Sequence, residues 1–117
     1  LVDREMIFTL DDLMSFPSET RVHFLECSGN GRAGFKTPRP DLSPQNIDGL
    51  LCNAEWTGVP VKALLAEVGV KGGAEWALAE GGDAALMSRS VPMAKLMDDA
   101  MFVYAQNGEP LRPAGGY

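Results

Sequence analysis

The segment Arg21-Val22-His23-Phe24-Leu25-Glu26-Cys27-Ser28-Gly29-Asn30-Gly31-Arg32 changes character halfway along. Its first seven residues are rich in strand formers and lie between Ser18 and Gly29, which predicts a β-strand over 21–27. Its remainder is small, polar and glycine-rich and has no period, so the chain leaves the sheet there. A thiol at that boundary faces a loop. Gly29 and Gly31 let backbone N–H groups come close to an anion, as in phosphate-binding nests, and Arg32 adds a permanent cation. Such surroundings favour the thiolate, the form of cysteine that binds metal or attacks. On the residues alone, Cys27 reads as readily as a small apolar thiol before a turn.

Working outward, Thr9-Leu10-Asp11-Asp12 has the form of a capping box with Asp12 in the usual Glu position. It predicts a short helix through Leu13 and Met14 that Pro17 stops. Residues 28–48 show no periodicity and are expected to form one long loop. Residues 49–54 suggest a short strand. Pro60 suits the first position of a helix in which Val61, Leu64, Leu65 and Val68 make one apolar stripe, with Gly69 as its left-handed cap. A strand over 74–80 is broken by Gly81 and Gly82. Ser88 to Pro92 lead into a short helix over 93–97, and a buried strand follows over 101–105. Asn107-Gly108 is the strongest turn signal in the chain. Helical and strand patterns alternate with irregular connections, which gives an α+β class with a mixed sheet.

The 117 residues carry ten Lys and Arg against sixteen Asp and Glu, a net charge of −6. That excludes a nucleic-acid or anionic-membrane surface, which needs a basic excess. It leaves room for a small anionic substrate in a locally positive cleft. No apolar run reaches the roughly 20 residues of a membrane span, and no basic-apolar leader opens the sequence. Two cysteines exclude a disulfide-rich scaffold. Leu1-Val2-Asp3 and Gly115-Gly116-Tyr117 read as the edges of a piece cut from a longer chain.

Other residues carry weaker signals. His23 shares a strand face with Cys27 but sits roughly 13 Å away, and with a single histidine in the chain a zinc site would need carboxylates and both cysteines. A Cys27–Cys52 bridge is open, since nothing sets their distance. Asp83 closes the Glu80-Gly81-Gly82 turn, where a solvated aspartate is the ordinary reading. Arg89 and Arg112 read as surface residues. Met87, Met93, Met97 and Met101 read as core filler. Trp56 and Trp76 read as core or subunit-packing residues.

Four blocks in order then resemble the sulfite oxidase family. They are His23 to Arg32; Asn53-Ala54-Glu55-Trp56-Thr57-Gly58-Val59-Pro60; Ser88-Arg89-Ser90-Val91-Pro92; and Tyr104 to Pro113. The resemblance is nearest to the family's bacterial sulfite dehydrogenase branch of the sulfur-oxidation system. It implies a molybdopterin-binding domain over 1–117, with its C-terminal part and dimerisation domain absent. It implies molybdenum held by one molybdopterin dithiolene and the Cys27 thiolate, with Arg32 binding the oxyanion. Ser28, Asn30, Asp83, Ser90 and Tyr117 are the implied cofactor contacts. In the stretch 113–117, Gly115 stands where the family has a histidine, and near Asn46 a family tryptophan is absent.

Sulfite is the implied substrate, oxidised to sulfate, with electrons passing to a cytochrome c-type acceptor. The chain has no Cys-x-x-Cys-His motif, so any haem belongs to a partner. A same-family enzyme for nitrate or a sulfoxide, or a cofactor-free fragment, are the alternatives. The resemblance also implies a periplasmic, oligomeric parent protein. The 117 residues alone are expected to hold no stable cofactor and to be marginally stable or to self-associate through a strand edge at Phe102–Tyr104.

Overall fold

The computed structural model describes residues 1–36 and 41–112. The chain runs α1 (Leu10–Ser15), β1 (Glu19–Glu26), a 3₁₀ turn (Arg32–Phe35), α2 (Pro44–Asp48), β2 (Leu51–Pro60), α3 (Val61–Val68), β3 (Trp76–Glu80), β4 (Ser88–Pro92), α4 (Met93–Asp98), β5 (Met101–Gln106) and β6 (Glu109–Pro110). The expected α+β class holds. Two sheets form: a four-stranded one in the order β1-β2-β5-β6 and the β3-β4 hairpin. Every strand pairing among the described residues is antiparallel, not mixed.

β1 and β2 set the frame. They pair along their whole common length, from Glu19 opposite Gly58 to Glu26 opposite Leu51. β2 runs to Pro60, well past the six residues expected, because Asn53, Ala54, Glu55 and Trp56 alternate polar-out and apolar-in. Ala54 and Trp56 are buried on one face, and the Trp56 indole donates to the His23 carbonyl at 3.0 Å. The β2–β5 register slips between Thr57 and Gly58. Gly58 is required there: a Cβ would lie 2.1 Å from the Phe102 carbonyl oxygen and 2.7 Å from the Val103 Cα. At the far end Asn107 and Gly108 take positive φ (51° and 78°), and the expected tight turn joins β5 to β6.

The helices follow their local signals. Thr9 and Asp12 cap α1 reciprocally, and the chain turns extended at Phe16, just before Pro17. Pro60 caps α3 without entering it, Val61 and Leu64 bury the predicted stripe, and Gly69 ends it at φ 68°.

Four expectations fail for local reasons. Residues 28–48 are not one loop, because Ser43 and Asn46 form a second capping box with Pro44 in the first turn of α2. Ser88–Pro92 is a strand, since Trp76 opposite Pro92 through Glu80 opposite Ser88 give it a partner. Trp76, Met87 and Met97 are exposed and not in the core. β5 is half-buried and not buried, with Phe102 52 % exposed.

The core among the described residues is thin. It consists of Ala54, Trp56, Val59, Val61 and Leu64, and only Val59 is fully buried. The accessible surface of 8810 Å² exceeds the roughly 6,200 Å² of a compact monomer of this mass. The expected edge is partly closed: the Leu111 N–H donates to the Tyr104 carbonyl at 3.0 Å, and β6 pairs with Ala105 and Gln106. A longer edge, β1 itself, has a strand partner on one side only among the described residues.

Two outcomes follow. Gly58→Ala must push the β2–β5 bulge apart. A denaturation curve should show a loss of about 1–3 kcal/mol, in the range of overpacking. The Thr9 hydroxyl and amide both bond the Asp12 carboxylate and hold its pKa below the ordinary value. The box therefore contributes fully above the ordinary carboxylate range and is lost as pH falls through the lowered value. Asp12→Ala should lower the urea midpoint near neutral pH, and the gap from wild type should close in strong acid.

Candidate functional site

Cys27 follows directly on β1. Its N–H donates to the Leu50 carbonyl at 2.9 Å, which carries the β1–β2 ladder one residue past the strand. The chain then turns, with the Asn30 N–H on the Cys27 carbonyl at 2.9 Å and the Arg32 N–H on the Gly29 carbonyl at 3.1 Å. Gly31 takes φ 76°, and its N–H reaches the Ile47 carbonyl at 2.8 Å. Asn30 holds both sides of this turn. Its Nδ2 donates to Glu26 Oε1 at 2.8 Å, and its Oδ1 accepts from the Leu50 N–H at 3.1 Å.

These bonds correct one expectation. The amides of Asn30, Gly31 and Arg32 all go to protein carbonyls, so the turn is not an open phosphate nest. The Gly29 N–H alone faces the thiol, at 3.4 Å from Sγ. Cys27 is exposed and unbridged, as is Cys52. An exposed thiol on a backbone pinned at Leu50 and Asn30 is a suitable soft donor for a metal approaching from the loop side. Among the described residues no group of three or more His, Cys, Asp or Glu can hold a metal ion. Cys27 offers one soft sulfur donor, and a pterin-bound molybdenum, which brings sulfur ligands of its own, fits a single thiolate of this kind.

Arg32 opens the 3₁₀ turn five residues after the thiol, is exposed, and makes no side-chain hydrogen bond or ion pair among the described residues. Ser28 lies inside the turn and is exposed. Asn30 spends one N–H and one lone pair on the loop, which leaves the other Nδ2 proton for a ligand. Asp83 and Ser90 sit apart, on the β3–β4 hairpin. Asp83 Oδ1 accepts from the Ala85 N–H at 3.1 Å, and Ser90 lies opposite Leu78. No hydrogen bond among the described residues ties that hairpin to the Cys27 turn. Tyr117 and the stretch 113–117 lie outside the described residues.

Sequence reasoning missed the supports of the turn. Ile47 and Leu50 act through backbone atoms and leave no side-chain signal; the Ser43-Pro44-Gln45-Asn46 box that positions Ile47 was readable. A groove of about 580 Å³ lies on the sheet beside the turn, lined by His23, Leu25, Trp56, Lys95, Asp99 and Met101 among others, and it includes neither Cys27 nor Arg32. At its rim Lys95 Nζ and Asp99 Oδ1 form an ion pair 2.6 Å apart, and the Lys95 ammonium holds the Asp99 carboxyl below its ordinary range.

Comparison with known proteins places this geometry. The family model for the oxidoreductase molybdopterin binding domain matches residues 1–117. The nitrate reductase (NADH) of Solanum lycopersicum is 32% identical over 130 residues, a match taking in 100% of this chain and 14% of that protein. Nitrate reductase (NADH) 1 of Nicotiana tabacum is likewise 32% identical, with the same coverage. The crystal structure of the sulfane dehydrogenase SoxCD from Paracoccus pantotrophus superposes with a TM-score of 0.85 at 43% identity, covering 96% of this chain and 28% of that chain. The chain thus spans a small part of each of these proteins.

Asn30→Ala should release both sides of the turn. Amide hydrogen exchange at Leu50 is expected to speed up and stability to fall by about 0.5–1.5 kcal/mol per lost bond. Unchanged protection at Leu50 would show that the turn holds without the clamp.

Proposed function

The chain belongs to the oxidoreductase molybdopterin-binding domain family, and from that premise we propose that it uses its molybdenum cofactor to oxidise a small sulfur oxyanion, sulfite, with Cys27 as the protein's ligand to the metal. The observation that favours a sulfur substrate over nitrate is the 43% identity to a sulfane dehydrogenase over 96% of this chain, against 32% to the nitrate reductases; sulfite itself comes from the family resemblance. The family membership makes the chain a molybdopterin-binding oxidoreductase domain; sulfite, Cys27 and the acceptor are the finer reading.

The cofactor supplies two-electron oxygen-atom chemistry when bound. The chain's own residues supply position and charge. Cys27 presents its sulfur from a backbone fixed by the Leu50 carbonyl and the Asn30 clamp, so the thiolate has little freedom to move away from its metal. Arg32 would meet the anionic substrate. Its guanidinium offsets that charge and orients the oxygens through its fork of N–H donors. In a site closed from water the offset counts for more than on a surface. Ser28 and the spare Asn30 proton are placed to donate to pterin or substrate oxygens, and Asp83, Ser90 and Tyr117 are the proposed contacts from outside the turn.

Electrons leave to a cytochrome c-type partner, which carries the haem, in a periplasmic setting. Nitrate reduction is the second reading, favoured by the nitrate reductase relatives. Arg32 would serve nitrate as well as sulfite, so charge alone does not separate them.

The test uses the protein as its source makes it, isolated from a host that makes the cofactor. Sulfite should reduce cytochrome c in its presence, and nitrate should not reoxidise a reduced form of the enzyme at a comparable rate. The reverse preference would replace this reading by the second. Arg32→Gln should raise KM for sulfite roughly ten- to hundredfold, the loss of one charge-assisted bond of about 1.5–3 kcal/mol, with bound pterin unchanged. An unchanged KM would reduce Arg32 to a loop residue.

A further inference from the structure

The chain holds two Asn-Gly pairs, Asn30-Gly31 and Asn107-Gly108. This dipeptide loses its side-chain amide readily, because glycine has no side chain to keep its own nitrogen away from the preceding Asn Cγ. The fold treats the two pairs in opposite ways. At Asn30 the Gly31 N–H donates to the Ile47 carbonyl at 2.8 Å, Nδ2 donates to Glu26 Oε1 at 2.8 Å, and Oδ1 accepts from the Leu50 N–H at 3.1 Å. All three groups that the reaction must move are held. At Asn107 only Oδ1 is held, by the Glu55 N–H at 3.0 Å. The Gly108 N–H and Asn107 Nδ2 have no hydrogen bond among the described residues, and both residues are exposed. A Cβ at Gly108 would meet nothing within 4 Å, so the approach to this turn is open. An exposed turn of this kind opens locally at small cost.

We propose that Asn107 is a site of spontaneous deamidation, and that the Asn30 clamp keeps the same reaction out of the thiol turn. The Gly108 nitrogen gives its proton to hydroxide and attacks Asn107 Cγ. The new N–Cγ bond closes a succinimide, the Cγ–Nδ2 bond breaks, and ammonia leaves. Water then opens the ring at either carbonyl, which gives aspartate or isoaspartate; nothing is oxidised or reduced. The two products differ in consequence. Asn107 meets Glu55 twice, with its N–H on the Glu55 carbonyl at 2.8 Å and its Oδ1 on the Glu55 N–H. Aspartate keeps that acceptor. Isoaspartate adds a carbon to the backbone, so the two contacts can no longer be made together and the β5–β6 turn comes away from β2. At position 30 the same reaction would set a carboxylate against Glu26 and undo the clamp. The proposal is independent of the cofactor and of the substrate.

The experiment ages the purified protein in warm, mildly alkaline buffer, with a parallel sample in strong urea. Peptide mass spectrometry follows amide loss at each position, and a protein isoaspartyl methyltransferase labels isoaspartate. In the folded protein, amide loss at position 107 should run roughly tenfold faster than at position 30, the effect of two further hydrogen bonds that must open first at Asn30. Isoaspartate should appear at 107. In urea, where neither turn exists, the two positions should react at similar rates. Glu26→Ala, which frees Nδ2 of Asn30, should speed the reaction at position 30 while circular dichroism shows the fold kept. Equal rates in the folded protein, or no amide loss at 107 while that position reacts in urea, would overturn the proposal. A difference that persists in urea would do the same, since it would then belong to the sequence and not to the fold. An unchanged rate at position 30 in folded Glu26→Ala would remove the clamp as the cause of protection.

Discussion

The hydrogen bond from the Cys27 N–H to the Leu50 carbonyl, 2.9 Å long, is where the sheet ends and the site begins. Behind it stand eight residue pairs of β1 and β2. In front of it the chain has no ladder left and turns on Asn30. Because side-chain period is two, sliding this ladder by one residue would either send the cysteine to the opposite face or carry Trp56 out of the core. The buried Ala54 and Trp56 hold the β1–β2 register, and the bulge at Gly58 sets how β5 lies along the other side of β2. The position of the thiol is thus a consequence of packing some distance away from it.

The turn is rigid for a reason that differs from its appearance. A glycine-rich stretch after a strand suggests amides open to an anion. Here three of those amides are spent on carbonyls of the turn itself and of Ile47, and Asn30 closes the remainder. What the turn offers a ligand is a sulfur and, five residues on, a guanidinium, on a backbone that has satisfied most of its own polar groups. That is a suitable support for a metal that arrives with its own dithiolene ligand, and a poor one for a bare ion that must be caged.

Much of this was legible in the residues. The Thr9–Asp12 box, the α3 stripe from Val61 to Val68, the Asn107-Gly108 turn and β1 itself were readable because each has a local cause. The full length of β2 was not, since Asn53 and Glu55 look unlike strand residues until Ala54 and Trp56 are seen to alternate with them. β4 was missed because Ser88-Arg89-Ser90 has no apolar face and becomes a strand only through its pairing with β3. The exposed Trp76, Met87 and Met97 show the limit of hydrophobicity as a guide to the core in a chain whose core is this small. For the site, Cys27 and Arg32 stood out by chemistry. Ile47 and Leu50, which hold the turn, act through their backbones and could not be found from side-chain type.

The most direct test is X-ray absorption at the molybdenum edge, on the protein as its source makes it and on Cys27→Ser, both purified from a host that makes the cofactor. The account predicts one sulfur neighbour of molybdenum beyond the dithiolene pair in the wild type, and its replacement by a lighter atom, or loss of the metal, in the variant. A molybdenum environment that is the same in both proteins would contradict it, because the thiol at the end of β1 would then not touch the metal at all.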